Sequence, residues 1–306
     1  VNLRTDQWGG SAENRCRFLQ EAVASARRAT GDDFIVGLRI SGDEQYDDGL
    51  KGDLSLSAIQ SVSEQIDYVS LVDGTSATLG GAIHIAPPMY LEPGYVAPFS
   101  ERVKQAVDFP VFVTGRINQP QEAEKIITSG AADMCGMTRA MICDPLMPAK
   151  SQAGQLDDIR ACIGCNQACI GHFHSGHAIS CIQYPESGRE LEYGVITPTQ
   201  KPQKVMVVGG GPGGMKAAAT AAKRGHNVTL YEADKQLGGQ ARLAQLLPHR
   251  AEFGGIITNL SRELAQSGTQ VVMNTSVDLE LIQSEAPDVV ILATGATPLW
   301  PSSFHY

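Results

Sequence analysis

Apolar residues in the first half of the chain form short continuous runs separated by segments with helical spacing. The continuous runs, typical of strands buried on both faces, lie at residues 34–41, 68–72, 111–114 and 133–137. Between the first two runs, apolar side chains recur every three or four positions, at Leu54, Leu56, Ile59, Val62 and Ile66. A strand followed by a helix, repeated four times, predicts an α/β fold with a parallel sheet, because such crossovers are right-handed.

Two consecutive turns of this pattern carry a glycine and an arginine. Gly115 and Arg116 follow the third strand, and Gly136 and Arg139 lie at the end of the fourth. Glycine allows close backbone approach and arginine supplies charge, so the pair of turns predicts a phosphate pocket. An open doubly wound sheet and half of a (β/α)8 barrel both fit four such units. The pocket favours the barrel, where phosphate sites lie after strands 7 and 8, and it puts Arg39 near the end of strand 5.

For Arg116 and Arg139 the alternative is a solvated surface arginine. The long connection over residues 73–98 is predicted to be a functional lid or binding loop. It contains His84, the one candidate that we identify for proton transfer, and a surface-loop histidine is the alternative there. No other catalytic side chain is assigned from the sequence.

A dinucleotide fingerprint opens the second half of the chain. The apolar strand Lys204–Val208 runs into Gly209, Gly211 and Gly214, which satisfy the spacing G-x-G-x-x-G. A helical segment and a second strand follow, and the second strand ends at Glu232. This order predicts a Rossmann-like site in which Glu232 accepts hydrogen bonds from a ribose; a surface carboxylate is the alternative.

Two further motifs extend this pattern. Gly239 and Gln240 belong to the sequence L-G-G-Q, and residues 293–295 read A-T-G. Together they are typical of FAD-binding domains of the disulfide-reductase kind rather than of simple NAD dehydrogenases.

The join between the two halves carries four cysteines in the pattern C-x2-C-x3-C-x11-C: Cys162, Cys165, Cys169 and Cys181. Four thiolates hold either a cubane iron–sulfur cluster or a tetrahedral zinc ion. The crowding of three cysteines in one loop favours the cubane, because zinc ribbons usually pair two C-x-x-C turns. Unliganded thiols or disulfides are the remaining alternative. The segment between Cys169 and Cys181 also contains three histidines, His172, His174 and His177. They are expected to be solvated, or one of them replaces a cysteine as a ligand.

Composition limits the classes of function. The 306 residues are 42% hydrophobic and 19% charged, enough for two α/β domains, and the net charge is −9. That charge argues against nucleic acid or anionic membrane as a partner, and no apolar run is long enough to span a bilayer. Seven cysteines, four of them clustered, indicate a reducing compartment and hence a cytoplasmic protein. The chain opens with Val in mid-pattern, which suggests a fragment cut at both ends; nothing in the sequence indicates the oligomeric state.

The combined motifs resemble one family. R-T-D-Q-W-G-G-S, G-L-R-I-S-G-D-E, V-T-G-R-I, G-M-T-R-A, C-I-G-C-N-Q-A-C-I-G and V-V-G-G-G-P-G-G-M are similar to motifs of the iron–sulfur flavoenzymes of the Old Yellow Enzyme superfamily. Its members include 2,4-dienoyl-CoA reductase, the trimethylamine and dimethylamine dehydrogenases and related N-demethylases. The resemblance implies three segments: the C-terminal half of an FMN-binding (β/α)8 TIM barrel at 1–150, a [4Fe–4S] segment and linker at 151–202, and a partial Rossmann-like FAD or dinucleotide domain at 203–306.

The resemblance also implies roles for individual residues. Arg39 would contact the pyrimidine edge of FMN. The FMN phosphate would be held by Gly115, Arg116, Gly136 and Arg139. The cluster ligands would be Cys162, Cys165, Cys169 and Cys181. FAD, or ADP, would be bound by Gly209, Gly211, Gly214, Glu232, Gly239 and Gln240. The family's tyrosine and histidine for the substrate lie mostly upstream of Val1.

The expected function is that of an NADH:flavin oxidoreductase. NAD(P)H would reduce FAD, the cluster would relay single electrons, and FMN would pass a hydride to a small unsaturated acyl or enone substrate. One alternative is an amine dehydrogenase or N-demethylase that oxidises methylated amines and passes electrons to an acceptor protein. A second is a non-catalytic, zinc-bound nucleotide-binding module.

Overall fold

The structure is a computed structural model that describes residues 2–297. Residues 298–306, the last nine of the segment predicted at 203–306, lie outside the described residues. The chain divides into two compact units. The first comprises Val1–Ser151 and Gly164–Ile179, and the second comprises Gln152–Ile163 and Ser180–Tyr306. The three-segment division drawn from the sequence stays a prediction.

The first unit contains a four-stranded parallel sheet in the order β1-β2-β3-β4. Its strands are β1 (Gly37–Ser41), β2 (Tyr68–Val72), β3 (Val111–Thr114) and β4 (Met134–Gly136). Its helices are α1 (Ala12–Thr30), α2 (Gly52–Gln60), α3 (Leu79–Ile85), α4 (Ala97–Lys104), α5 (Pro120–Thr128), α6 (Thr138–Cys143), α7 (Met147–Gln152) and α8 (His172–His174). Fully buried valine and leucine side chains of β2 and β3 pack against Ile59 of α2 and Val103 of α4. Helices on the sheet therefore bury the alternating apolar residues of its central strands.

The first strand is less buried than its apolar run predicted. β1 begins at Gly37, and Phe34 and Ile35 before it are 59% and 71% exposed. The strand is an edge of the sheet, because it pairs only with β2 among the described strands. An apolar run reports strand propensity, but burial also needs a neighbour on each side.

The long connection after β2 is partly helical. Thr78 caps α3 by accepting a hydrogen bond from the Gly81 N–H at 3.0 Å, and the helix runs to Ile85. The glycine pair at its start hid this helix from the sequence pattern, because glycine has poor helix propensity. The next helix, α4, begins at Ala97 with a proline in its first turn.

The second unit contains another four-stranded parallel sheet, in the order β7-β6-β5-β8. Its strands are β5 (Lys204–Val208), β6 (Asn227–Tyr231), β7 (Gln270–Val272) and β8 (Val289–Leu292). Its helices are α9 (Glu190–Tyr193), α10 (Pro212–Lys223), α11 (Ala241–Ala244), α12 (Gly254–Ser267) and α13 (Leu279–Glu285). Numbered within the sheet, this order is 3-2-1-4, as in doubly wound dinucleotide-binding sheets. The turn between β5 and α10, at the middle of the sheet, holds the glycine fingerprint.

Over residues 2–297, no helix combines the length and the apolar character that crossing a bilayer requires.

Candidate functional site

The two arginine-bearing turns lie side by side at the carboxyl edge of the first sheet. Thr114 at the end of β3 pairs with Gly136 at the end of β4. A Cβ at Gly136 would lie 2.1 Å from the Thr114 Oγ1, and one at Gly115 would lie 2.2 Å from the Val96 Cγ2. Both glycines are therefore required by their protein neighbours, a reason that the sequence did not reveal. Close packing of the two strand ends brings the arginines that follow them into neighbouring turns.

Neither arginine is a fully solvated side chain. Arg116 is only 5% exposed, and its backbone has a left-handed φ of 45°. Its Nη1 lies 3.3 Å from the position that a Cβ at Gly164 would take. Arg139 is half-buried, and its Nη1 donates to the Asn166 Oδ1 at 2.6 Å. A buried guanidinium carries a desolvation cost that a bound anion would offset, so the two turns fit a phosphate group.

Arg39 lies in the middle of β1 rather than at its end. It is exposed and aligns with Ser70 of β2, whereas Leu38 and Ile40 pack against the core. Because successive strand residues face opposite sides of a sheet, Arg39 points away from the helices that cover this core.

His84 lies near the end of α3 and is half-buried. Its Nδ1 is buried without a hydrogen-bond partner among the described residues, and the Tyr95 hydroxyl donates to the His84 carbonyl oxygen at 3.0 Å. Burial lowers the pKa of His84, with an opposing effect from Asp43, so the imidazole is neutral at physiological pH. Burial also raises the pKa of Tyr95, so its hydroxyl stays protonated. The pair offers a neutral nitrogen and a neutral hydroxyl at the loop end of the sheet.

Asp73 is a residue that the sequence reasoning missed. It directly follows β2, is 7% exposed, and accepts hydrogen bonds from the Asp43 N–H at 3.0 Å and from the Gln45 Nε2 at 3.2 Å. Burial, reinforced by the charge of Asp43, raises the pKa of Asp73 to about 6 although both hydrogen bonds lower it. The available signal was its position, since a carboxylate placed directly after an apolar strand lies at the carboxyl edge of the sheet.

The glycine fingerprint of the second unit forms a tight turn. A Cβ at Gly214 would lie 1.9 Å from the Gly209 carbonyl oxygen, and one at Gly209, whose φ is 109°, would lie 2.4 Å from the Ala293 carbonyl oxygen. A Cβ at Gly211 would meet nothing within 4 Å. Gly211 faces a cavity of about 750 Å³, which Glu232, Gly239 and other residues of the unit also line. This volume suits a nucleotide, and the open position at Gly211 fits the close approach of a pyrophosphate.

Glu232 has a structural role of its own in this turn. Its Oε2 accepts from the Gly210 N–H at 2.6 Å, and its Oε1 accepts from the Asp234 N–H at 2.8 Å. The carboxylate thus connects the glycine turn to the end of β6 through hydrogen bonds. Each of its oxygens has a further lone pair that can accept a hydrogen bond from a ribose hydroxyl. Gly239 is left-handed, with φ 47°, and the Gln240 Nε2 donates to the Ala296 carbonyl oxygen, so both border the same cavity.

The predicted metal ligands fall into both units. Cys165 and Cys169 belong to the first unit, Cys162 and Cys181 to the second, and all four are half-buried. A π-helical turn, Gln167–Gly171, carries Cys169. In residues 2–297, no group of three or more His, Cys, Asp or Glu side chains is arranged to hold a metal ion. Four cysteine thiolates are a suitable donor set for an iron–sulfur cluster or a zinc ion.

The segments that flank these cysteines are held by α12. The Arg160 Nη1 donates to the Glu263 Oε1 at 2.7 Å, and the Arg160 guanidinium lies 4.4 Å from the centre of the Tyr184 ring. The Gln183 Nε2 donates to the Ala161 carbonyl oxygen at 2.9 Å, and Asn259 of α12 donates to the Gln183 Oε1 at 2.7 Å. Residues on both sides of the Cys162–Cys181 segment are therefore fixed to one helix.

Glu263 is the centre of a buried charge cluster. Its Oε2 accepts from the Lys216 Nζ at 3.0 Å, and the Lys223 Nζ lies 3.6 Å away. Burial acts to raise the pKa of Glu263, but Lys216, Lys223 and Arg160 together outweigh it and hold the pKa below its ordinary value. The ionised carboxylate is thus stabilised by three cations.

Replacing Glu263 by glutamine is expected to lower the free energy of unfolding of the second unit by about 3 kcal/mol at pH 7, because the half-buried Arg160 and Lys216 lose an ionised partner. The depressed pKa makes the wild-type contribution present above pH 4.5 and progressively lost below it. The difference in unfolding free energy between the wild type and Glu263→Gln should therefore become smaller in acid, as measured by urea unfolding at several pH values. Asp53→Asn is the control, because the Asp53 partner of Arg102 is 88% exposed and its loss should cost under about 1 kcal/mol. A difference that does not depend on pH would contradict the assignment.

Comparisons with known proteins agree with this architecture. Residues 1–158 match the NADH:flavin oxidoreductase / NADH oxidase family, and residues 203–303 match the pyridine nucleotide-disulphide oxidoreductase family. Curated relatives include N,N-dimethylglycine/sarcosine dehydrogenase of Chromohalobacter salexigens, 42% identical over 97% of this chain and 44% of that protein. NADH oxidase of Thermoanaerobacter brockii is 37% identical over 98% of this chain and 46% of that protein. Cinnamate reductase of Clostridium sporogenes is 32% identical over 97% of this chain and 46% of that protein.

Among solved structures, 2-naphthoyl-CoA reductase in complex with 2-naphthoyl-CoA aligns with a TM-score of 0.91 at 33% identity, over 98% of this chain and 46% of that one. Histamine dehydrogenase from Rhizobium sp. 4-9 aligns with a TM-score of 0.86 at 28% identity, over 95% of this chain and 42% of that one. The chain spans less than half the length of these relatives. The first family model covers more than half of the chain, and it agrees with the resemblance seen in the motifs. The chain therefore belongs to the NADH:flavin oxidoreductase / NADH oxidase family, within the Old Yellow Enzyme superfamily of flavin-dependent oxidoreductases.

Proposed function

We propose that the chain provides the FMN-phosphate site and the adenine-nucleotide site of an NAD(P)H-linked flavin oxidoreductase. In this proposal the first unit is the C-terminal half of an FMN-binding (β/α)8 barrel, and the second is part of a Rossmann-like FAD domain. The observation that carries the proposal is the pair of arginines on adjacent turns at the carboxyl edge of the first sheet. Arg116 is buried and Arg139 half-buried, in a chain whose family uses flavin.

The chain's own residues have distinct tasks in this proposal. Bound FMN supplies hydride transfer, and Arg116 and Arg139 neutralise its phosphate. Arg39, exposed on the face of β1 opposite the core, supplies positive charge for the flavin ring. His84, whose pKa is lowered by burial, is the proposed side chain that accepts a proton or a hydrogen bond from a substrate.

On the second unit, the glycine turn and the amino end of α10 bind the pyrophosphate of FAD, or ADP. The open position at Gly211 and the absence of a side chain there support this role. Glu232, Gly239 and Gln240 border the same cavity and orient the adenosine ribose.

We further propose that Cys162, Cys165, Cys169 and Cys181 ligate a [4Fe–4S] cluster, which transfers electrons one at a time. The support is the spacing of the four thiols, their half-burial and the anchoring of the flanking segments to α12. Anaerobic preparation should yield about four iron and four sulfide per chain. One zinc ion in a colourless protein would instead favour the zinc-bound, non-catalytic module.

For the small-molecule substrate we propose an unsaturated acyl thioester or enone, which receives a hydride at its activated double bond. A second candidate, oxidation of a methylated amine with electrons passed to an acceptor protein, is favoured by the 42% identity to N,N-dimethylglycine/sarcosine dehydrogenase. Both candidates use the same flavin sites, but electrons flow to the substrate in the first and from the substrate in the second.

The test compares two assays on protein reconstituted with FMN and FAD. NADH or NADPH oxidation that depends on an enone or an unsaturated acyl-CoA supports the first candidate. Reduction of a dye by dimethylglycine or dimethylamine, without NAD(P)H, supports the second. Failure to bind FMN would contradict the proposal for both substrates.

Replacing His84 by alanine tests its proposed contact with the substrate. If that contact exists, His84→Ala should lower the turnover rate without releasing FMN.

A further inference from the structure

The segment 164–166 lies against both arginines of the proposed phosphate site. The Arg116 Nη1 lies 3.3 Å from the position of a Cβ at Gly164, and the Arg139 Nη1 donates to the Asn166 Oδ1 at 2.6 Å. Cys165 is the residue between these two contacts. All of these residues belong to the first unit, so their mutual placement does not depend on the second.

Asn166 connects three parts of that unit. Its Oδ1 accepts from Arg139, and its Nδ2 donates to the Ala86 carbonyl oxygen at 2.6 Å, just beyond α3. Its backbone is left-handed, with φ 57°, a conformation that asparagine tolerates better than most residues do. Asn166 is also the residue from which the π-helical turn carrying Cys169 begins. One side chain therefore links the guanidinium of Arg139 to the backbone that presents Cys165 and Cys169.

A second contact ties the same segment down. The Gly164 carbonyl oxygen accepts from the Met89 N–H at 3.1 Å, and Gly164 has a left-handed φ of 62°. A side chain at Gly164 would meet both Met89 and Arg116. The turn at residues 164–166 therefore packs closely against the side chains of Arg116 and Arg139.

We propose that phosphate occupancy of the Arg116 and Arg139 pair is coupled, through Asn166, to the conformation of the turn that carries Cys165. The inference rests on the proposed FMN-phosphate site, and the occupant is a phosphate monoester. Arg139 has five N–H donors, and Asn166 uses one of them, which leaves the guanidinium able to bind phosphate while anchored. Anchoring lowers the loss of side-chain freedom on binding, so a fixed turn favours the phosphate. Coupling is reciprocal, so the phosphate must fix the turn to the same extent.

The consequence concerns the cysteines. A turn that is ordered by the flavin phosphate presents Cys165 and Cys169 in one conformation, whereas an empty arginine pair holds them less firmly, because the contribution of the phosphate is lost. Retention of flavin and presentation of two of the four proposed metal ligands then depend on each other, although the ligands themselves do not touch the flavin phosphate in this proposal.

The test measures amide hydrogen exchange over residues 164–171 and alkylation of Cys165, each with FMN, with riboflavin and with inorganic phosphate. FMN is expected to slow both processes at least fivefold and riboflavin, which lacks the phosphate, is not; inorganic phosphate should reproduce the effect at higher concentration. Cys16 on α1 and the amides of α1 serve as internal references that should not change.

Asn166→Gly removes the side chain and keeps the left-handed backbone free of strain. We expect it to weaken FMN at least fivefold, to leave riboflavin affinity unchanged and to abolish the FMN-dependent protection of Cys165. Ser175→Ala is the matched control, because it deletes one hydrogen bond to the Gly171 carbonyl oxygen in the same segment without touching either arginine. FMN binding that protects neither residues 164–171 nor Cys165, or that is insensitive to Asn166→Gly, would overturn the coupling alone. Absence of any phosphate-dependent binding to the wild-type chain would overturn the coupling together with the proposed phosphate site.

Discussion

Replacing Gly214 by alanine is expected to remove the folded glycine turn of the second unit and, with it, the proposed binding of an adenine nucleotide. The added Cβ would lie 1.9 Å from the Gly209 carbonyl oxygen, and no side-chain rotation can relieve this contact, because the Cβ is bonded directly to the backbone and the oxygen is part of it. In most helix positions the same substitution would stabilise the protein by up to about 1 kcal/mol. Here overpacking should cost roughly 3 kcal/mol or more, measured by urea unfolding and by faster hydrogen exchange in β5 and β6.

Two neighbouring glycines provide matched controls. Gly213 lies in α10 with nothing within 4 Å of its Cβ position, so Gly213→Ala should leave the unfolding free energy unchanged or slightly raised. Gly211→Ala should fold normally and still lose nucleotide affinity, because its methyl group would occupy the cavity rather than the turn. Equal stabilities for Gly214→Ala and Gly213→Ala would show that the tight turn is not formed in solution.

Replacing Arg139 by alanine is expected to lower FMN affinity about tenfold to a hundredfold while riboflavin affinity stays the same. A charge-assisted hydrogen bond to phosphate contributes about 1.5–3 kcal/mol, which corresponds to that range. The comparison of the two flavins isolates the phosphate, because their ring systems are identical. Fluorescence quenching of each flavin on titration with protein supplies the measurement.

Arg102→Ala is the control for this change. Arg102 also carries a guanidinium on the first unit, but it lies in α4, is half exposed and pairs with the exposed Asp53. Its loss should alter neither flavin affinity. If Arg139→Ala weakened riboflavin as much as FMN, the arginine would act on the ring or on the fold, and the phosphate assignment would be wrong.

The elements that sequence predicted well are those that local pattern determines. The runs at 68–72, 111–114 and 204–208 became strands with the same bounds, because each is apolar, short and ended by a turn residue. The strand at residues 34–41 was predicted too long, since its first residues lack the second neighbouring strand that would bury them. A run of side chains contains no information on what lies beyond the edge of a sheet.

The candidate site was predictable in its residue types and less so in its contacts. Glycines and arginines at strand ends pointed to phosphate, but the hydrogen bond from Arg139 to Asn166 joins residues 27 positions apart. The ion pair of Arg160 with Glu263 spans 103 positions. No local sequence pattern indicates either contact. The sequence shows Asp73 only as a carboxylate that follows a strand, and its burial is not apparent from that. Long-range polar contacts of this kind follow from the fold and cannot be inferred before it.

The first sheet ends in β1 on one side and β4 on the other, and each pairs with one neighbour among the described strands. Exposed strand edges recruit other strands, in a partner chain or in an aggregate. Co-expression with a second polypeptide that can donate a strand to β1 or β4 is therefore expected to suppress self-association of the first unit. Light scattering as a function of protein concentration, with and without that second polypeptide, would measure how much self-association the two edge strands cause.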